Sequence, residues 1–223
     1  MDIFNDYIPS GAVPAATVEK YGHRIPEELL QVWQERGFGS FFGGYFKVID
    51  PADYEELLQQ CYFRGKDAVP ILANPFGDLI TFEKGRFITL VSIRKGICTI
   101  MIPGFDLFLM LLRDKTFLAR FVQQELYDKL VERHGTLDFS ECFASIPLLS
   151  LGGKESVDTM KKAKIREHIH IIAEFCQDID IVSPYAKPQC RKFSKFSGSV
   201  ILGNFFYLWY PKVRSFQEGA PIC

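Results

Sequence analysis

The sequence predicts an α+β fold in which helices frame a central antiparallel sheet. Three observations lead there. Residues 69–102 hold four β-rich runs, Val69–Ala73, Leu79–Phe82, Arg86–Val91 and Ile97–Ile102, separated by turns at Gly77-Asp78, Lys84-Gly85 and Lys95-Gly96. Those gaps are too short for the crossover helix that a parallel pair needs, so the runs form an antiparallel meander. On either side of it, apolar residues recur at helical spacing.

Taken in order, Pro26 opens a helix, P-E-E-L-L-Q-V-W-Q-E-R, with Glu27 and Glu28 at its positive end and Arg36 at its negative end. Gly37 closes it, and Leu29, Leu30, Val32 and Trp33 form its apolar stripe. Gly37 to Phe46 then reads G-F-G-S-F-F-G-G-Y-F, a segment that buries rings while glycine lets backbones approach closely. A strand is expected over Tyr45–Ile49. Asp50 caps a second helix, with Pro51 at its start and Tyr54, Leu57, Leu58 and Cys61 on one face. After the meander, Asp106 to Gly135 returns to helix, with Asp114 as a cap and Phe117, Leu118, Phe121, Val122, Leu126 and Leu130 on one buried face. A last helix is expected from Lys154 to Gln177, leaving Asp178 and Asp180 at its solvated exit.

The 223 residues can bury roughly 70% of the unfolded surface. Hydrophobic residues make up 48% and aromatics 14%, which excludes a disordered chain. The net charge of −1 lacks the basic excess of a protein that grips nucleic acid by itself, so no direct nucleic-acid binding is expected. The six cysteines are scattered and form no C-x-x-C pair, as suits a reducing cytosol. The N-terminus M-D-I-F-N-D-Y-I-P-S has no basic segment of a signal peptide. The longest apolar run, Val200–Tyr210, is too short for a bilayer, which needs about 20 residues. A soluble, cytoplasmic protein with no membrane association is expected.

No catalytic pattern emerges. There is no G-x-S-x-G elbow, P-loop, dinucleotide fingerprint or H-E-x-x-H. His168 and His170 stand two apart on a helix and point to different faces, so they do not chelate; no metal or cofactor is expected. His134, before Gly135, suits a helix end. Asp50, Asp53, Glu55 and Glu56 crowd the first turns of a helix, where carboxylates offset the dipole. The chain therefore reads as a binder and not an enzyme.

The ordered set of pieces resembles a known family. It comprises Trp33 with G-F-G-x-F-x-x-G at Gly37–Gly44, Phe46 with Pro51-x-x-Tyr54, and F-G-D-L at Phe76–Leu79. Further along come Phe117-Leu118 to Leu126-Tyr127, His134-Gly135-x-Leu137, and E-C-F-A-S-I-P-L-L-S-L-G-G-K-E-S at Glu141–Ser156. Spanning about residues 20 to 178, the set is similar to GAD-like immunity proteins with the C-terminal domain of type VI secretion DNase immunity proteins. The resemblance implies a GAD-like region at 1–104, an immunity C-terminal region at 105–182, an extension at 183–223, and one compact unit. It also implies a cognate secreted toxin, a nuclease, as the partner, neutralised by direct contact. No role is carried onto Lys154, Glu155 or Ser156.

An inhibitor of a nuclease gains on-rate by presenting acids to the toxin's phosphate-binding cations. The candidate partner-binding residues are accordingly Glu55 and Glu56 on one helix and Glu125, Asp128 and Glu132 on another, together with Tyr45, whose hydroxyl can keep one end wet. The other rings of the 37–46 segment suit the core. Two further readings stay open. The stretch with Lys187, Arg191, Lys192 and Lys195, interleaved with Phe193 and Phe196, suits a nucleic-acid- or tRNA-associated module, or a solvated tail. Scattered acids could also serve a hydrolase.

Overall fold

The computed structural model describes residues 3–175 and 179–183. Expectations for Asp178 and for residues 184–223, including the basic-aromatic stretch and Val200–Tyr210, lie outside the described residues. Strands β1 (Ile8–Gly11), β2 (Phe38–Phe41), β3 (Phe46–Val48), β4 (Ala68–Ala73), β5 (Leu79–Glu83), β6 (Phe87–Ser92) and β7 (Ile97–Pro103) lie side by side in that order, each antiparallel to the next. The meander expected at 69–102 is the second half of this sheet. Strands β8 (Glu141–Ser145) and β9 (Met160–Lys164) form a separate antiparallel ribbon, and β10 (Asp180–Ile181) adds to the large sheet parallel to β7. The helices are α1 (Ala15–Tyr21), α2 (Glu27–Arg36), α3 (Glu55–Cys61), α4 (Phe105–Leu111), α5 (Lys115–Phe121), α6 (Gln124–His134) and α7 (Ile165–Phe175). The fold is mixed α+β, as the sequence predicts.

Helix α2 has the expected ends. Pro26 is its extended N-cap, and Gly37, at φ 76°, turns the chain out of the helix while its N–H donates to the carbonyls of Val32 and Trp33. Asp114 caps α5 by accepting the Phe117 N–H at 2.8 Å. Elsewhere the structure corrects the sequence reading. Asp50 caps a 3-10 turn, Pro51–Asp53, by accepting from Ala52, and Tyr54 separates that turn from α3. The helical stretch expected over 106–135, with its cap at Asp114, is three helices: the chain leaves helical geometry at Asp114, as expected, and again at Val122, φ −118° and ψ 116°. The helix expected at 154–177 begins only at Ile165. Met160–Lys164, M-K-K-A-K, has fair helix propensity, but it pairs residue by residue with β8, and pairing overrides the local preference. Asp180 lies in β10 and not at a helix exit.

The aromatic-glycine segment is a hairpin. Phe38, Phe41, Tyr45 and Phe46 are buried, and the turn between β2 and β3 is held by the Asp6 carboxylate, which accepts the N–H groups of Phe42 and Gly43. The rings continue inward: Phe46 meets Phe108 of α4 at 5.6 Å, and Tyr45 meets Tyr127 of α6 at 5.4 Å. A second cluster joins α3 and α7 through Leu57, Leu58, Val91, Cys142, Ile165, Ile169 and Ile172.

Two glycines of this hairpin separate two kinds of constraint. A Cβ on Gly39 would stand 2.4 Å from the Ile8 carbonyl oxygen and 2.6 Å from the Tyr7 ring. Gly43 has open space around it but sits at φ 64°. Gly39→Val is expected to cost about 3 kcal/mol by overpacking, and Gly43→Val about 1–2 kcal/mol by left-handed strain. Gly43→Asn should recover most of the latter, since asparagine tolerates that conformation. Urea titration of the three variants checks the order.

Candidate functional site

The structure separates the six candidate residues. Tyr45 is corrected: only 1% exposed, it is held inside, and its hydroxyl accepts the Gln123 N–H at 3.0 Å. A turn side chain whose ring packs on Tyr127 of α6 and whose hydroxyl is bonded to Gln123 has no wet end to offer. Glu55 is half-buried and accepts from Lys20 Nζ, the Tyr21 hydroxyl and Arg24 Nη1 at 2.7, 2.8 and 3.0 Å. Burial raises its pKa, but these three hydrogen bonds outweigh it and hold the carboxyl below its ordinary value. Its charge is therefore spent on tying α1 to α3. Glu56 is exposed beside it and accepts from the Gln60 amide. On α6, Glu125 pairs with Lys129 at 2.6 Å, Asp128 accepts from the Gln124 amide, and Glu132 is exposed. Among the described residues, Glu56, Asp128 and Glu132 are the candidate acids that carry no ion pair.

The sequence reading missed a buried charge network among the described residues. Asp78, in the turn before β5, is completely buried. Arg94, after β6, donates to it through Nε at 2.8 Å and Nη2 at 2.9 Å. Ser92 Oγ and Asn74 Nδ2 complete the carboxylate's shell at 2.6 and 2.9 Å. The third guanidinium nitrogen pairs with Glu155, which also pairs with Lys95 at 2.8 Å, while the guanidinium packs over the Phe76 ring. Burial pushes the Asp78 and Glu155 carboxyls up, but the Arg94 and Lys95 charges and hydrogen bonds prevail and keep both below the usual carboxylate range. The signals available were an acid inside the quoted F-G-D-L motif and an arginine at the end of an apolar β-run.

Lys47 of β3 is 1% exposed, and its ammonium donates to three backbone carbonyls, those of Asp138, Phe139 and Glu141. Burial pushes its pKa down to about 8. His168 is buried and His170 exposed on α7, so the two point apart as expected; burial and the Arg94 charge lower the His168 pKa. A cleft of about 230 Å³ opens beside the Asp78 network, lined among others by Ser92 and Thr99 of the sheet, Lys95 of the turn between β6 and β7, Arg120 and Phe121 at the end of α5, and Gln123 before α6.

Among the described residues, no three His, Cys, Asp or Glu side chains gather to hold a metal, and no helix is long and apolar enough to cross a membrane. The buried Asp78 and Arg94 are paired with each other, while Glu56, Asp128 and Glu132 stand outside without an ion pair. Residues 1–94 match the GAD-like domain and residues 103–176 match the T6SS immunity protein Tdi1, C-terminal. The chain thus carries a GAD-like domain followed by the C-terminal domain of the Tdi1 type VI secretion immunity proteins, a family that is non-enzymatic and whose members have a cognate toxin as partner. The crystal structure of Atu4351 from Agrobacterium tumefaciens has the same fold, with a TM-score of 0.64 over 77% of this chain and 86% of that one at 17% identity. No curated protein matches the chain.

The two matched regions are joined by the charges just described. Arg94 belongs to the GAD-like domain and Glu155 to the Tdi1-type domain, and Lys47 of the first closes the backbone entering β8 of the second.

Proposed function

We propose that this protein works in the cytoplasm, neutralising a secreted DNase by binding it directly. The observation that carries the reading is the match of residues 103–176 to the Tdi1 C-terminal domain. The exposed acids Glu56, Asp128 and Glu132 support the DNase part of it. A nuclease keeps cations exposed for phosphate, and an inhibitor that presents carboxylates to them speeds the encounter and favours the correct partner.

The test uses the product of the gene beside this chain, expected to be the cognate toxin. Cells producing that toxin survive only when this protein is present, and the two co-purify. Reversing Glu56, Asp128 and Glu132 together to lysine slows association by about tenfold at low salt, with the melting temperature unchanged. The difference shrinks above 0.1 M salt, where the screening length is about 10 Å. Glu55 is left intact because its reversal would break the contacts to Lys20, Tyr21 and Arg24. Survival without the protein, or a toxin that cleaves no DNA, overturns the reading.

A further inference from the structure

Among the described residues, the β8–β9 ribbon has no strand on its β9 side. Its two faces are packed: Phe143 of β8 meets Tyr127 and His134 of α6, and Cys142 joins the cluster shared with α7. On the β8 side, the Phe143 N–H donates to the Pro75 carbonyl at 2.7 Å and ties the ribbon to the turn before β5. That bond fixes the pairing with β9. Phe143 stands opposite Lys162, and a residue whose N–H points away from its partner belongs to a pair that exchanges no ladder bonds. The flanks agree, since the Ile146 N–H donates to Thr159 and the Ile165 N–H to Ser140, in step with that alternation. The N–H and C=O of Lys162 and the N–H of Lys164 therefore point outward, and among the described residues no backbone group meets them. The other edges are poorer templates. Strand β1 holds Pro9, which has no N–H, and its register shifts between Pro9 and Gly11; β10 is two residues long. Strand β9 runs five residues in unbroken register.

The side chains of that edge select what can pair with it. M-K-K-A-K carries three lysines and no acid. Lys162 is committed, because its ammonium donates to the Thr136 carbonyl and lies 3.7 Å from Glu141. Lys161 and Lys164 are exposed and form no ion pair among the described residues, Lys164 donating to the Ser140 hydroxyl at 3.0 Å. A second copy is a poor occupant: antiparallel pairing about Lys162 sets that lysine against itself, and like charges directly opposite destabilise a sheet. We propose that the free edge of β9 receives an extended, acidic segment of the toxin as a third strand of the ribbon. This rests on the immunity reading above and adds the mode of contact, main-chain bonds at Lys162 and Lys164 with carboxylates for Lys161 and Lys164. Strand geometry sets the spacing of those carboxylates. In a segment paired opposite Lys162, the residues facing Lys161 and Lys164 stand three apart, on opposite faces of the strand.

Amide exchange of the full chain, alone and with an inactivated form of the neighbouring gene product, tests this. In the free protein the amides of Lys161 and Ala163, bonded to β8, exchange slowly, and those of Lys162 and Lys164 exchange fast. In the complex the second pair slows by at least about tenfold. Lys161→Glu combined with Lys164→Glu weakens the complex about tenfold. Lys162→Pro weakens it about tenfold relative to Lys162→Met, because proline removes the outward N–H while an edge strand tolerates the ring. A blocked Thr-Glu-Val-Thr-Glu-Val peptide should also shift the Lys162 and Lys164 amides, and its control Thr-Lys-Val-Thr-Lys-Val should not. Fast exchange at those two amides in the complex overturns the proposal, as does slow exchange in the protein alone or wild-type affinity in the double reversal. Slowing that follows protein concentration without toxin reassigns the edge to a second copy. If the wild type does not bind the gene product, the immunity reading falls instead and the peptide decides the edge, unmoved amides counting against it. Should Lys162→Pro fail to fold, amide exchange and the double reversal decide together.

Discussion

Arg94→Met is expected to destabilise the protein by about 3–5 kcal/mol, lowering the melting temperature by roughly 6–20 °C for a domain of this size. The methionine fills most of the space but leaves Asp78 completely buried without its cation, and Glu155 with Lys95 alone. The cost comes from the stranded carboxylate, so Asp78→Leu combined with Arg94→Met should recover part of the loss, while Glu155→Gln, at the more exposed end of the network, costs less. The pH dependence carries the same signature. Asp78 and Glu155 are held below the usual carboxylate range in the folded protein. Their contribution is therefore present above the ordinary carboxylate pKa and is lost as pH falls through the depressed values, because the unfolded chain takes up protons first. Acid unfolding of the wild type and of Arg94→Met, followed by circular dichroism, should show a shallower slope in the variant. A slope and melting temperature equal to wild type would mean that the network contributes nothing to stability.

Lys47→Met should cost about 3 kcal/mol, since three buried carbonyls lose their donor and each unsatisfied group is worth about 1–3 kcal/mol. The loss is local as well as global. Those carbonyls belong to Asp138, Phe139 and Glu141, so amide hydrogen exchange should rise at the start of β8 before it rises in β4–β7. Lys162→Met is the control: its ammonium donates to the Thr136 carbonyl at the surface, and its loss should stay within about 0.5 kcal/mol. Equal effects in the two variants would remove Lys47 from its role as the tie between the matched domains.

The sequence determined the meander that forms the second half of the sheet. Alternating apolar runs of four to seven residues with Gly-containing turns have few ways to pair, so β4 to β7 were readable from spacing alone. Pro26, Gly37 and Asp114 act on neighbours within a few residues, and their roles at helix ends were equally legible. Tertiary structure decided the rest. Met160–Lys164 became a strand because β8 offered it partners, which no local propensity records. Phe38–Phe41 became a strand because Ile8–Gly11 and Phe46–Val48 flank it on both sides. The candidate acids were placed on exposed helical faces by periodicity, but which of them keep their charge free depended on distant cations: Lys20 and Arg24 claim Glu55 from 35 and 31 residues away. The Arg94–Glu155 pair spans 61 residues, and Lys47 reaches carbonyls more than 90 residues on. Periodicity measures a residue against its neighbours. A buried charge is stabilised by partners that only folding brings within 3 Å, and that is why the meander was legible in the chain and its electrostatic joints were not.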